Sequence, residues 1–118
     1  MAEAGLFIRW GEVARGREKG ALQVFNEGLQ YFGRLQQEGE IESFELVVFM
    51  PHSPDDGGFV LLRGSAQQID AVRRDEEFRR LINRARLRID GFGVADTFVD
   101  EGVAQVINLY QEEVEKLD

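Results

Sequence analysis

The sequence predicts an α+β domain in which a four-stranded antiparallel sheet and two helical segments follow the order β-α-β-β-α-β, with one more helix at the C-terminus. Three observations carry this. Short apolar runs rich in β-branched and aromatic residues are bounded by glycine, apolar residues recur at spacings of three and four in two long segments, and a turn-rich stretch joins two of the apolar runs directly into a hairpin. With 118 residues the chain has the length of one domain with one core, so residues 1–118 are expected to form a single unit whose first five residues are flexible.

The first strand is Leu6 to Trp10, LFIRW, flanked by Gly5 and Gly11. After a polar, glycine-punctuated connection, Leu22, Phe25, Leu29, Phe32 and Leu35 form one apolar helix face from about residue 18 to Gly39. Gly28 and Gly33 lie inside this helix, where each weakens it by up to ~1 kcal/mol relative to Ala, and the sequence suggests that one of them permits close packing on the sheet. Ile41 to Met50 reads as a long strand, PHSPDDGG (Pro51 to Gly58) as the hairpin loop and Phe59 to Gly64 as its partner strand. Ser65 with Gln68 has the pattern of a capping box at the start of the next helix. Asp75 is placed to cap a second half bearing Phe78, Leu81, Ile82 and Ala85, as two short helices or one bent one. Leu87 to Val99 reads as the fourth strand, with a bulge or bend at Gly91 and Gly93. Asp100 is expected to cap the last helix, on which Val103, Val106, Ile107, Tyr110, Val114 and Leu117 make a narrow apolar stripe.

This order is the split β-α-β, or ferredoxin-like, arrangement with an added helix. Right-handed crossovers place the first and third strands centrally and both main helices on one sheet face, leaving the other face bare. Val47, Phe49, Val60 and Leu62, or their neighbours, are expected on that face because successive strand side chains alternate. So apolar a surface calls for a second copy of the chain, with the terminal helix adding to the contact.

Composition narrows the chemistry. The chain has no cysteine, which excludes disulfides, thiolate metal sites and thiol nucleophiles, and its single histidine excludes a multi-histidine metal site within one chain. Neither a metal nor a cofactor is expected. No apolar run approaches the roughly 18 residues of a membrane span, and the start MAEAG lacks a secretion signal, so a cytoplasmic protein without membrane contact is expected. The net charge of −8 opposes nucleic acid, although residues 73–88 carry seven Arg and a local charge of +4. Those Arg positions spread around a helix without interleaved aromatics, which favours a solvated face attracted to the acidic remainder, in the same chain or a neighbour, over a nucleic-acid surface.

Over residues 6 to about 99 the element order resembles that of the dimeric α/β-barrel proteins, as does GGFVLLRG (Gly57 to Gly64) followed by a helix bearing DEEFRRLI (Asp75 to Ile82). That superfamily includes small cofactor-independent monooxygenases, YciI-like proteins and stress-responsive barrel proteins. The resemblance implies a homodimer that binds a small molecule, with cofactor-independent catalysis as a further implication. No histidine–aspartate dyad or asparagine–tryptophan–arginine set of those families matches this chain, so catalytic residues are unknown, and a non-enzymatic interaction or structural module stands as the alternative.

Five residues are candidates for ligand binding. Arg9 and Arg63 lie on strands expected to be neighbours and could jointly hold a carboxylate or phosphate; an Arg–Glu pair with Glu45 is the competing reading. Trp10 and Tyr31 could line a cavity while offering an N–H or O–H, or could be core packing. His52 is the natural proton shuttle of the chain but sits in turn sequence, beside Asp55 and Asp56, which suggest either a weak divalent-ion site or ordinary turn chemistry.

Overall fold

The structure is a computed structural model and describes residues 2–117. Its elements are β1 (Ala4–Trp10), α1 (Glu18–Gln37), β2 (Ser43–Val48), β3 (Gly58–Gly64), α2 (Ala66–Arg74), α3 (Glu76–Arg86), β4 (Gly93–Phe98) and α4 (Glu101–Glu115). The strands form one antiparallel sheet in the order β2-β3-β1-β4, the ferredoxin-like arrangement with β1 and β3 in the centre. Helices α1, α2 and α3 cover one face, where Leu6, Ile8, Val60 and Leu62 meet Val24, Phe32, Ile69, Val72, Phe78 and Leu81 in the core. Among the described residues no helix is long and apolar enough to cross a membrane.

Local chemistry explains several boundaries. Ser65 Oγ accepts from the Gln68 amide at 3.1 Å while Gln68 Oε1 accepts from the Ser65 amide at 2.8 Å, so the capping box forms in both directions. Asp75, extended at φ −65° and ψ 129°, ends α2 and caps α3 by accepting from the Glu77 amide, which makes two helices of the segment.

Elsewhere the structure corrects the expectations. Ala4 and Gly5, assigned to a flexible start, are paired in β1 on both sides, and the Glu3 amide donates to Gly64 O at 3.1 Å. Strand β2 is shorter than Ile41 to Met50, because Ile41 is drawn into the core below α1 and Met50 leaves the sheet. Strand β4 begins only at Gly93. Leu87 caps α3, the Ile89 amide donates to Ala85 O in a helix-terminal turn, and Gly91 turns the chain at φ +67°. Asp100 makes no side-chain cap. Its φ of +47° turns the chain, and its carboxylate stands 3.8 Å from Arg63 Nε instead.

The bare sheet face also differs in part. Val60 and Leu62 are 4% and 0% exposed beneath the helices, whereas their neighbours Phe59 and Leu61 point the other way with Phe7 and Val47. Strand parity decides this: Leu62 pairs with Leu6 and Phe44 on the helix side, so every odd-numbered β3 residue falls on the bare side. Phe7 packs tilted against the Phe59 ring at 5.1 Å and Phe49 at 6.1 Å, giving that face an aromatic centre. Neither Gly28 nor Gly33 serves close sheet packing; a Cβ at Gly28 would find only ordinary contacts at 3.8 Å, and one at Gly33 would find none.

Candidate functional site

Between α1, α3 and the Trp10 end of the sheet lies a cavity of about 360 Å³. It exists because α1 and α3 do not close over the sheet at that end. The buried face of α1 runs through Ala21, Val24, Gly28, Tyr31, Phe32 and Leu35, turned relative to the stripe Leu22–Phe25–Leu29 read from the sequence. Part of that stripe therefore borders the cavity instead of the sheet, and Leu22 remains 63% exposed at its rim. The other wall is Leu81, Ile82 and Ala85 of α3, and Ile89 and Phe92 after it close one end. The connection before α1 supplies Val13, held by a backbone bridge to Ile89.

Trp10 forms the floor near the edge of this space, packed edge-on against Phe25 at 5.9 Å. Its indole fits only because the hairpin returns through two glycines. A Cβ on Gly58 would come within 2.7 Å of the indole Cζ2 and 2.3 Å of Val47 O, and one on Gly57 within 2.6 Å of the indole Cδ1. The motif GGFVLLRG thus has a local physical cause: its glycines make room for the cavity's only tryptophan.

Around this cavity Glu18 is the single charged side chain among the described residues. It stands in the first turn of α1, where a carboxylate is favoured by the helix dipole, and its Oε1 accepts from the Gly16 amide at 3.2 Å. Everything else lining the cavity is apolar or aromatic, apart from the indole N–H and glycine backbone. An apolar body with at most one hydrogen-bonding group near the α1 start would be accommodated; a multiply charged molecule would be desolvated without compensation.

The other candidates lie in three separate places. Arg9 and Arg63 are both on the bare sheet face, but Arg9 pairs across from Phe59 and Arg63 from Gly5, four residues apart along the strands, or roughly 13 Å. They do not form a joint anion site. Arg9 donates to Asp55 O at 3.0 Å and lies 3.6 Å from the Asp56 carboxylate. Arg63 donates to Glu45 at 3.2 Å, diagonally across β2 and β3, and has Asp100 nearby.

His52 is in the hairpin loop, edge-on to Phe49 at 5.5 Å. Its Nδ1 lies 3.0 Å from Met50 O and its Nε2 3.5 Å from Asp56 Oδ2, so both ring nitrogens face oxygen atoms. Asp56 thus lies within reach of both Arg9 and His52, and among the described residues no group of three His, Asp or Glu is arranged to hold a metal.

Tyr31 is buried on the α1–α3 side of the core and donates its hydroxyl to Asp75 Oδ2 at 2.5 Å. Burial, then the hydrogen bond to Asp75 and its charge, hold the phenol well above its usual titration range. Arg34 lies over the ring at 5.3 Å and pairs with Glu77 at 2.7 Å. Tyr31 thus ties α1 to the α2–α3 junction, away from the apolar cavity. Of the five candidates only Trp10 lines that cavity. Phe25 and Leu22 were visible in the sequence as helix stripe, but Val13, Ile89 and Phe92 come from connections whose fold no periodicity announces.

No protein-family profile matches the chain, and no curated protein matches it by sequence. Solved structures do resemble it. A dimeric ferredoxin-like protein of unknown function from Jannaschia sp. CCS1 superposes with a TM-score of 0.59 at 11% identity, over 82% of this chain and 99% of that one. A dimeric ferredoxin-like protein of unknown function from Bacteroides fragilis gives 0.56 at 11% identity, over 81% and 96%. SnoaB, a cofactor-independent oxygenase from Streptomyces nogalater, gives 0.56 at 12% identity, over 85% and 95%. The shared property is the ferredoxin-like fold.

Proposed function

We propose that this chain is a homodimeric small-molecule-binding protein whose ligand is a predominantly apolar, ring-sized compound held between α1, α3 and the sheet. One observation carries the reading: a cavity of about 360 Å³, walled by Trp10, Phe25 and aliphatic side chains, beside the packed core. Ligand pockets begin at roughly 300 Å³ and are mostly apolar with a few polar groups to orient the guest. Here Trp10 offers a flat face and Glu18 the orienting acceptor. The homodimer rests on the bare aromatic sheet face, and the Jannaschia and Bacteroides structures are described as dimers.

Trp10 is the single tryptophan, so its emission reports on the cavity without mutation. Titration with anthracene should quench that emission saturably by energy transfer. Gly28→Leu, which sends a side chain toward the cavity wall, should weaken the effect at least about tenfold with an unchanged far-ultraviolet circular dichroism spectrum. Equal titration of both proteins would sink the reading.

Cofactor-independent catalysis, the activity named for SnoaB, is the second reading. It needs a proton acceptor beside the ligand, and among the described residues Glu18 is the one ionisable side chain around the cavity. Its test is Glu18→Gln once a ligand is known: loss of turnover with binding retained supports catalysis, whereas binding without turnover in the unaltered protein favours a carrier or sensor. A purely structural module would bind nothing in the cavity.

A further inference from the structure

Helix α4 is built to leave its own domain. Of its fifteen residues only Gly102 is buried, and Val103, Val106, Ile107, Leu109, Tyr110 and Val114 are between 40% and 71% exposed. An isolated helix this short is marginal in water, and an apolar stripe along it has no reason to stay wet. Its direction is nonetheless fixed. Gly102 is pressed on the β1 approach so closely that a Cβ there would overlap Glu3 O, the Val99 amide donates to Glu3 O at 3.2 Å, and Asp100 holds a positive φ of 47° between them. The helix therefore departs along a set line, which helps stretch the molecule to 58 Å against 22 Å in its thinnest dimension.

We propose that α4 exchanges between two copies of this chain, each laying its Val106–Ile107–Tyr110 stripe on the other copy. This deepens the homodimer part of the proposed function. The area argues for it. Four strands at roughly 4.8 Å spacing and about six residues at roughly 3.4 Å present a bare face on the order of 400 Å² in projection. A 15-residue helix, roughly 22 Å long and about 11 Å wide, adds on the order of 240 Å². Accessible area exceeds such flat projections, and of their sum α4 contributes more than a third, toward the roughly 800 Å² that each partner gives to a stable interface. The two surfaces adjoin, since Arg63 on the bare face stands 3.8 Å from Asp100 at the root of α4. One second copy can cover both.

The test is sedimentation equilibrium of the full chain and of the double variant Val106→Glu, Tyr110→Glu. Both positions are exposed in a single copy, so the substitutions leave the domain's own packing intact. A dimer whose dissociation constant rises about 100-fold or more in the variant supports the exchange. Equal dimerisation of both proteins overturns it while leaving a sheet-to-sheet homodimer standing, and a monomeric unaltered protein overturns both. Leu109→benzoylphenylalanine supplies an independent readout on irradiation. Crosslinked product at twice the chain mass supports α4 reaching the second copy; a crosslink within one chain shows α4 folded onto its own sheet and overturns the proposal. Anthracene binding at Trp10 is followed in the same samples, so failure of the α4 contact is distinguishable from failure of the cavity reading.

Discussion

Tyr31 shows what a single side chain contributes here. Its hydroxyl joins α1 to the Asp75 cap of α3, and that carboxylate also accepts from the Glu77 amide through its other oxygen. Because the folded phenol titrates above its unfolded value near 10, the folded state holds the proton after the unfolded state has lost it. Stability from Tyr31 is therefore complete below about pH 10 and falls as pH rises beyond it. Thermal unfolding between neutral and strongly alkaline pH should show this decline, and Tyr31→Phe should flatten the Tyr31 part of it while costing roughly 2 kcal/mol at neutral pH. Gly33 makes the opposite case: a Cβ there meets nothing, so Gly33→Ala should stabilise the protein by roughly 0.5–1 kcal/mol in urea unfolding. At this scale the sequence identified residue types better than partners. Arg9 and Arg63 were recognisable as charges inside strands, and Glu45 was a recognisable partner for Arg63. That Asp55 and Asp56 would answer Arg9 depended on the path of the hairpin loop, which no local pattern encodes.

Among the elements, those with local chemical signatures were the most legible. The Ser65–Gln68 box and the Asp75 cap are short-range hydrogen-bond patterns, so residue spacing alone locates them. Ser65→Ala should cost about 1 kcal/mol, read as a lower urea midpoint with unchanged slope. The start of β4 was illegible for the converse reason. Leu87 and Ile89 alternate with Arg as strand residues do, but the carbonyls of Asn83 and Ala85 draw the chain into a helix-terminal turn. In α1 a rotation of the buried face separated sheet contact from cavity wall, a distinction that helical periodicity is too coarse to make. Four of the six arginines of α2 and α3 meet acids: Arg74 meets Asp70 and Arg80 meets Glu76 on their own helices, Arg84 meets Glu27 on α1 and Arg73 meets Asp96 on β4. We expect no saturable, salt-sensitive binding of an oligonucleotide by fluorescence anisotropy at low salt; such binding would reassign this face.

For the whole molecule, topology followed from element order and crossover handedness, so the ferredoxin-like sheet with β1 and β3 at its centre was readable before any coordinate. The cavity was not. It arises between α1, α3 and the sheet, and a void left between packed elements has no residue pattern of its own; GGFVLLRG was readable as a family likeness but not as the place where two glycines approach Trp10. The central claim is that this void holds a small apolar molecule in a two-copy assembly. Native mass spectrometry of protein purified gently from its own host tests it most directly, with Gly28→Leu prepared in parallel. The expected result is a dimer carrying a reproducible small mass that is depleted in the variant. The same mass on both proteins, or a monomer carrying none, would contradict the account.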